Sequence, residues 1–301
     1  MKYILTVLAV ITIIIEASLN YAHPFMMAVP TDYFEQPELP TFMMAALLTF
    51  GIGQAAIPLL IKHKSWSLKR ICLVIVIGLI DKWLFSSSGY VLALGIGLLL
   101  AYYIKKSWVG YMLLATGLFA IAIPLLILYF PAETFMDAAK FQEQVTLFKS
   151  NDYMHYILNS MSAGYIWIVV TAVFIVLPLL LIDWTSIRYR YTTALLLFTS
   201  GIFIKTLVIQ SESVLVFSLL MIIGGLMQGI ALYLLLSGSA DDRLIPTLAF
   251  SSLLMLLAFT GVGLGDYQNM PLETVLMRAV IIMVITLISY LILTRKKNAN
   301  F

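Results

Sequence analysis

The sequence predicts an all-α fold: one integral membrane domain over residues 1–301, a polytopic protein with about ten transmembrane helices and both termini cytoplasmic (N-in/C-in). Three observations predict it. The chain is 62% apolar and only 11% charged, against roughly 25% charged residues in a soluble domain. The stretch Lys69 to Lys106 holds two apolar runs flanked outside by Lys69, Arg70, Lys105 and Lys106, with Asp81, Lys82, three serines and Gly89 between them. That is the pattern of a membrane hairpin with its basic ends on the cytoplasmic face. Finally, threading all the apolar runs alternately from a cytoplasmic N-terminus puts most of the 18 basic residues inside and most of the 15 acids in the outer half.

The runs fall at roughly 3 to 22, 41 to 61, 70 to 87, 89 to 104, 108 to 130, 163 to 183, 191 to 209, 214 to 236, 245 to 264 and 275 to 294. The first also has the opening of a secretory signal, Lys2 followed by apolar Tyr3 to Ile15. Against cleavage stand Glu16 directly after the apolar core and Asn20-Tyr21-Ala22, a poor small-x-small site. Pro58, Pro124 and Pro178 predict bends, because each removes a backbone donor and frees a carbonyl that a neighbour must satisfy. In the eighth run Gly225 and Gly229 form a G-x-x-x-G, with Gly224 beside it, which predicts a close helix approach within the chain.

The one long connection, 131–162, is expected on the outer side. Thr134, Ala138, Phe141, Val145 and Phe148 recur at helical spacing while Glu133, Asp137, Lys140, Glu143 and Lys149 lie off that stripe. The pattern predicts an amphipathic helix lying in the outer interface, a plain surface helix or a lid.

Ionisable groups inside apolar runs are costly and are the first candidates for function. Glu16, Asn20 and His23 follow one another by four and three residues, one stripe of a helix. A carboxylate that orients an imidazole is the arrangement of a general base, so His23 and Glu16 are the catalytic candidates; the alternative is an ion pair for Glu16 and a headgroup position for His23. Asp81, Lys205 and Arg278 fall at a similar depth. With Asn20 they are the candidates for substrate binding, Lys205 and Arg278 either neutralising Glu16 or Asp81 or holding an anionic substrate group. Gln54, between Gly51 and Pro58, is placed to hydrogen-bond across helices. The lone Cys72 forbids an internal disulfide or thiolate cluster, and the three histidines lack metal-ligand spacing, so no metal and no bound cofactor are expected. The glycine run Gly261 to Gly265 lacks the strand and the G-x-x-x-x-G-K-[ST] of a phosphate loop.

Leu19-Asn20, Thr49-Phe50-Gly51-Ile52-Gly53, Lys69-Arg70 through Gly78-Leu79-Ile80, and Phe259 to Gly265 together resemble the YeiB-like family of bacterial membrane proteins, within the transmembrane acyltransferase superfamily. The chain departs from that pattern at Thr6 to Val10, where the family has an Asp and Arg-Gly, and at Asp81, where it has a histidine. The resemblance implies transfer of an acyl group from an acyl-CoA donor to a lipid-linked or cell-envelope acceptor at the bacterial plasma membrane, with His23 in the place of the superfamily histidine. Two other classes stay open: a non-catalytic accessory or immunity protein and a small-molecule transporter. The lipid bilayer is the expected partner. No nucleic-acid partner is expected, and nothing in the residues points to a particular oligomer.

Overall fold

The computed structural model describes residues 4–22, 49–62, 65–85, 89–104, 146, 152–162, 165–184, 187, 189–208, 214–236, 244–259 and 272–298. Among them every regular element is helical. In chain order these are α1 (Ile4–Ala22), α2 (Ile52–Ile61), α3 (Leu68–Ile80) with a π-helical segment Asp81–Phe85, and α4 (Tyr90–Tyr103). There follow α5 (Tyr153–Ser162), α6 (Tyr165–Val170), a second π segment Thr171–Val176, and α7 (Leu177–Leu181). The last four are α8 (Arg190–Val208), α9 (Val214–Leu236), α10 (Leu244–Phe259) and α11 (Leu272–Asn298).

The all-α class stands, but the ten-span architecture does not. Among the described residues no helix is long and apolar enough to cross a membrane, so the polytopic, multi-pass reading with N-in/C-in topology is corrected. The helices do not follow the apolar runs one for one. The run at 70 to 87 ends its α-helix at Ile80 after 13 residues, about 20 Å of rise against a hydrocarbon core of roughly 30 Å. The run at 89 to 104 gives 14 helical residues, and that at 163 to 183 is divided among α6, the π segment and α7. Hydropathy counts apolar residues without saying what buries them, and here many are buried on neighbouring helices: Leu5, Ile14, Ile57, Leu59, Leu60 and Ile71 are each at most 1% exposed. The run at 108 to 130 and the stripe from Thr134 to Phe148 lie outside the described residues.

Two groupings position the site. α1 packs on α2, α10 and α11, while α9 lies between α8 and α2. Glycine makes the second grouping possible. A β-carbon on Gly225 would collide with the Phe50 carbonyl oxygen and the Gly51 backbone, one on Gly229 would stand 2.7 Å from the Ile52 carbonyl oxygen, and one on Gly201 would stand 2.6 Å from that of Gly224. The G-x-x-x-G of α9 is thus spent inside the chain, on the first turn of α2. Carbonyls at helix ends, which lack partners within their own helix, are met from elsewhere: Lys62 donates to Ile182, Arg190 to Leu234 and Trp66 to Ile61.

Candidate functional site

Four helices bring polar groups to one buried point. Glu16 of α1, 6% exposed, faces the start of α2, where Gly51 adopts a left-handed conformation (φ +76°) that glycine takes without strain. The Gly51 N–H donates to Glu16 Oε2 at 3.1 Å, and Gln54, one turn along, donates its side-chain amide to Glu16 Oε1 at 2.6 Å. From the other side Lys205 of α8, fully buried, donates its ammonium to the Phe50 carbonyl at 2.8 Å and to Gln228 Oε1 of α9 at 2.6 Å. Its stem crosses α9 at Gly224, where a β-carbon would meet Lys205 Cγ at 2.6 Å.

Gln54 is held in turn. Pro58, four residues on inside α2, has no N–H to give the Gln54 carbonyl. The Tyr90 hydroxyl of α4 supplies that donor at 2.6 Å.

Burial decides the protonation of this centre. Loss of water raises the Glu16 carboxyl from 4.5 to about 7, against the lowering effects of Gly51, Gln54 and the Lys205 charge. The same loss brings the Lys205 ammonium down from 10.5 to about 8, opposed by Glu16. Tyr90 is pushed well above its ordinary value by burial and then by the Glu16 charge. The arrangement offers a carboxyl and an ammonium that both exchange protons near neutrality.

A second buried polar group stands at the end of α3. Asp81 and Lys82 are each 2% exposed; burial lifts Asp81 from 3.8 to about 7, against the effect of Ser252. The Lys82 ammonium lies 5.9 Å from the Tyr165 ring centre, and the Tyr165 hydroxyl accepts from the Trp83 indole at 2.7 Å.

Of the residues singled out from sequence, the structure thus brings Glu16 and Lys205 together, while Asp81 opens the π segment that follows α3. Arg278 is half-buried on α11, and Asn20 stands near the end of α1. His23 lies outside the described residues. Among those residues no group of three or more His, Cys, Asp or Glu could hold a metal. Sequence reasoning missed Gln228, Tyr90 and the Phe50–Gly51 peptide. Gln228 carried a signal, a lone amide between Gly225 and Gly229 in an apolar helix; for Tyr90 the signal was indirect, in the spacing of Gln54 and Pro58.

No protein-family model matches the chain, and no curated protein or solved structure matches it.

Proposed function

We propose that the chain is an acyl-transfer enzyme whose proton chemistry runs through Glu16 and its partner Lys205. One observation carries this reading: the carboxyl at about 7 and the ammonium at about 8 share one buried centre, the range to which enzymes bring a Glu and a Lys for acid–base work. In such a transfer the acceptor hydroxyl oxygen attacks the thioester carbonyl, its proton passes to a base, the C–S bond breaks, and the thiolate leaves and is protonated. Glu16 serves as that base or, with His23, orients it. The acyl-CoA donor, the lipid-linked or envelope acceptor and the YeiB-like kinship are parts of the proposal that the sequence motifs support.

The experiment is release of free thiol from acetyl-CoA by the purified full-length chain, with a bacterial envelope lipid extract as acceptor. Release is expected in proportion to protein, falling at least about 100-fold in Glu16→Gln. No release above background with acetyl- or longer acyl-CoA, or an unchanged rate in Glu16→Gln, overturns the reading.

We propose a lipid surface as the partner and the bacterial plasma membrane as the location, the first of which exposed apolar side chains support. Leu195, Leu196 and Phe203 on α8 are each more than 60% exposed, and Val280, Ile281, Ile288, Leu291 and Ile292 on α11 each more than 50%. Contiguous exposed apolar side chains of this kind mark an interaction with lipid or protein. Flotation of the chain with liposomes tests it, and a chain that stays at the bottom of the gradient without detergent overturns it.

A further inference from the structure

Glycine contacts fix how the helices run, and they gather one set of side chains at one end of the bundle. A β-carbon on Gly78 of α3 would meet Leu92 of α4, and one on Gly95 of α4 would meet Ile75. The two helices are therefore antiparallel, and Leu68, Lys69 and Arg70 begin α3 where Tyr102 and Tyr103 finish α4. Gly89 abuts Ile168 and Gly97 abuts Val176, so α4 runs parallel to the stretch from α6 to α7 and ends level with Ile182. Gly225 abuts Gly51 and Gly229 abuts Ala55, so α9 and α2 are parallel and reach Leu236 and Lys62 together. Lys62 donates to the Ile182 carbonyl and Arg190 to that of Leu234, which ties both sets into one end.

This end carries Lys62, Lys69, Arg70 and Arg190, with Asp183 paired to Lys62 at 3.9 Å. Lys69 and Arg70 are exposed. Among them stand Tyr102, Tyr103, Tyr189 and Tyr191, each more than half exposed. Apolar side chains begin within two turns: Leu73 and Val76 follow Arg70 on α3, and Leu195 and Leu196 follow Arg190 on α8, all at least half exposed. At the far end of α3 the π segment packs on α5, whose start carries the acidic Asp152, bonded to His155 at 2.6 Å.

We infer that this basic, tyrosine-bearing end docks on the anionic headgroups of a lipid surface; the inference rests on the lipid partner proposed above and names its charge and its point of contact. Ammonium and guanidinium groups meet phosphate oxygens through charge-assisted hydrogen bonds. Tyrosine rings settle at headgroup depth, with the ring against the apolar layer and the hydroxyl in water. The exposed flanks of α3 and α8 then meet acyl chains where the tyrosines leave off. An acidic protein would match the basic groups but would leave these flanks uncovered.

The test is competition between two vesicle populations for the full-length chain as detergent is removed, one of phosphatidylcholine and one with about 30 mol% phosphatidylglycerol. The populations differ in density and are separated by flotation. Near 0.1 M salt the anionic vesicles should hold at least about tenfold more chain, because each basic residue close to such a surface contributes roughly fivefold. That preference should shrink to about twofold or less as salt rises from about 0.1 M to about 1 M. Lys69→Gln combined with Arg70→Gln, both at exposed sites, should lower it at least about fivefold, with Tm and recovery on phosphatidylcholine unchanged. An even split between the vesicles overturns the inference and leaves the lipid partner standing, whereas chain on neither overturns both. A preference kept in the double variant overturns the assignment to this end. An even split together with salt-sensitive retention on immobilised polyglutamate overturns it in favour of an acidic protein.

Discussion

Glu16 and Lys205 hold opposite ends of one peptide group. The N–H of the Phe50–Gly51 bond points to the carboxyl at 3.1 Å and its C=O to the ammonium at 2.8 Å. Each charge polarises the peptide in the sense that favours the other. Removing Lys205 leaves both the Phe50 carbonyl and Gln228 Oε1 without this donor. Lys205→Met is expected to cost about 3–5 kcal/mol, as for one partner of a buried charged pair, and denaturant unfolding measures it. Glu16→Gln should cost less, about 1–3 kcal/mol, because Gln54 can turn its amide to present oxygen where it now presents nitrogen.

Stability should pass through a minimum near neutral pH. Glu16 and Asp81 bind their protons more tightly folded than unfolded, at about 7 against 4.5 and 3.8. Their contribution is complete below the unfolded values and is lost as pH rises to about 7. Lys205 is the reverse, at about 8 against 10.5, so stability returns as pH climbs through that window. The slopes reach at most about 1.4 kcal/mol per pH unit for each group. Tm measured from pH 5 to 10 should trace this valley, with its alkaline wall lowered in Lys205→Met and its acid wall lowered in Glu16→Gln.

Tyr90 and Pro58 should be coupled. Tyr90→Phe strips the Gln54 carbonyl of the donor at 2.6 Å, at a cost of about 1–3 kcal/mol. Pro58→Ala restores a backbone N–H four residues on, so the double variant should lose less than Tyr90→Phe loses alone. A double-mutant cycle on Tm checks it; strict additivity would show that the hydroxyl does not replace the missing helical bond.

Gly225→Ala should act on the site from outside it. The added methyl meets the Phe50 carbonyl oxygen and the Gly51 backbone, and both groups belong to the peptide between Glu16 and Lys205. Overpacking of this kind costs about 1–3 kcal/mol. Acyl-transfer activity should fall together with stability, whereas Met154→Ala on the exposed side of α5 should leave both near wild type.

The helical class and the two buried charges were legible in the sequence, because Glu16 and Lys205 interrupt apolar runs where an ion needs a reason. That both meet the same turn was not legible. The groups joining them are a backbone N–H and a backbone carbonyl, and these carry no signature in residue type. Pro58 was read correctly as freeing a carbonyl, but only the packing of α4 on this region names Tyr90 as the answer. The span count failed for a related reason. A run of leucines and isoleucines has the same hydropathy whether a neighbouring helix or a hydrocarbon phase covers it, and the breaks at Ile80 and at Thr171–Val176 fall inside such runs.

The separation of Glu16 from Lys205 along the chain has a consequence for synthesis. A ribosome adding about 5–20 residues per second delivers the ammonium on the order of 10–40 s after the carboxyl. Throughout that interval the carboxyl has neither Lys205 nor Gln228 to meet. Burial raises this carboxyl and the Lys205 charge is among the effects that lower it, so a carboxyl buried before Lys205 arrives is held the more readily as a neutral acid. Closure of the eighth and ninth helices over the Phe50–Gly51 peptide then shifts the group toward its charged form, because it brings Lys205.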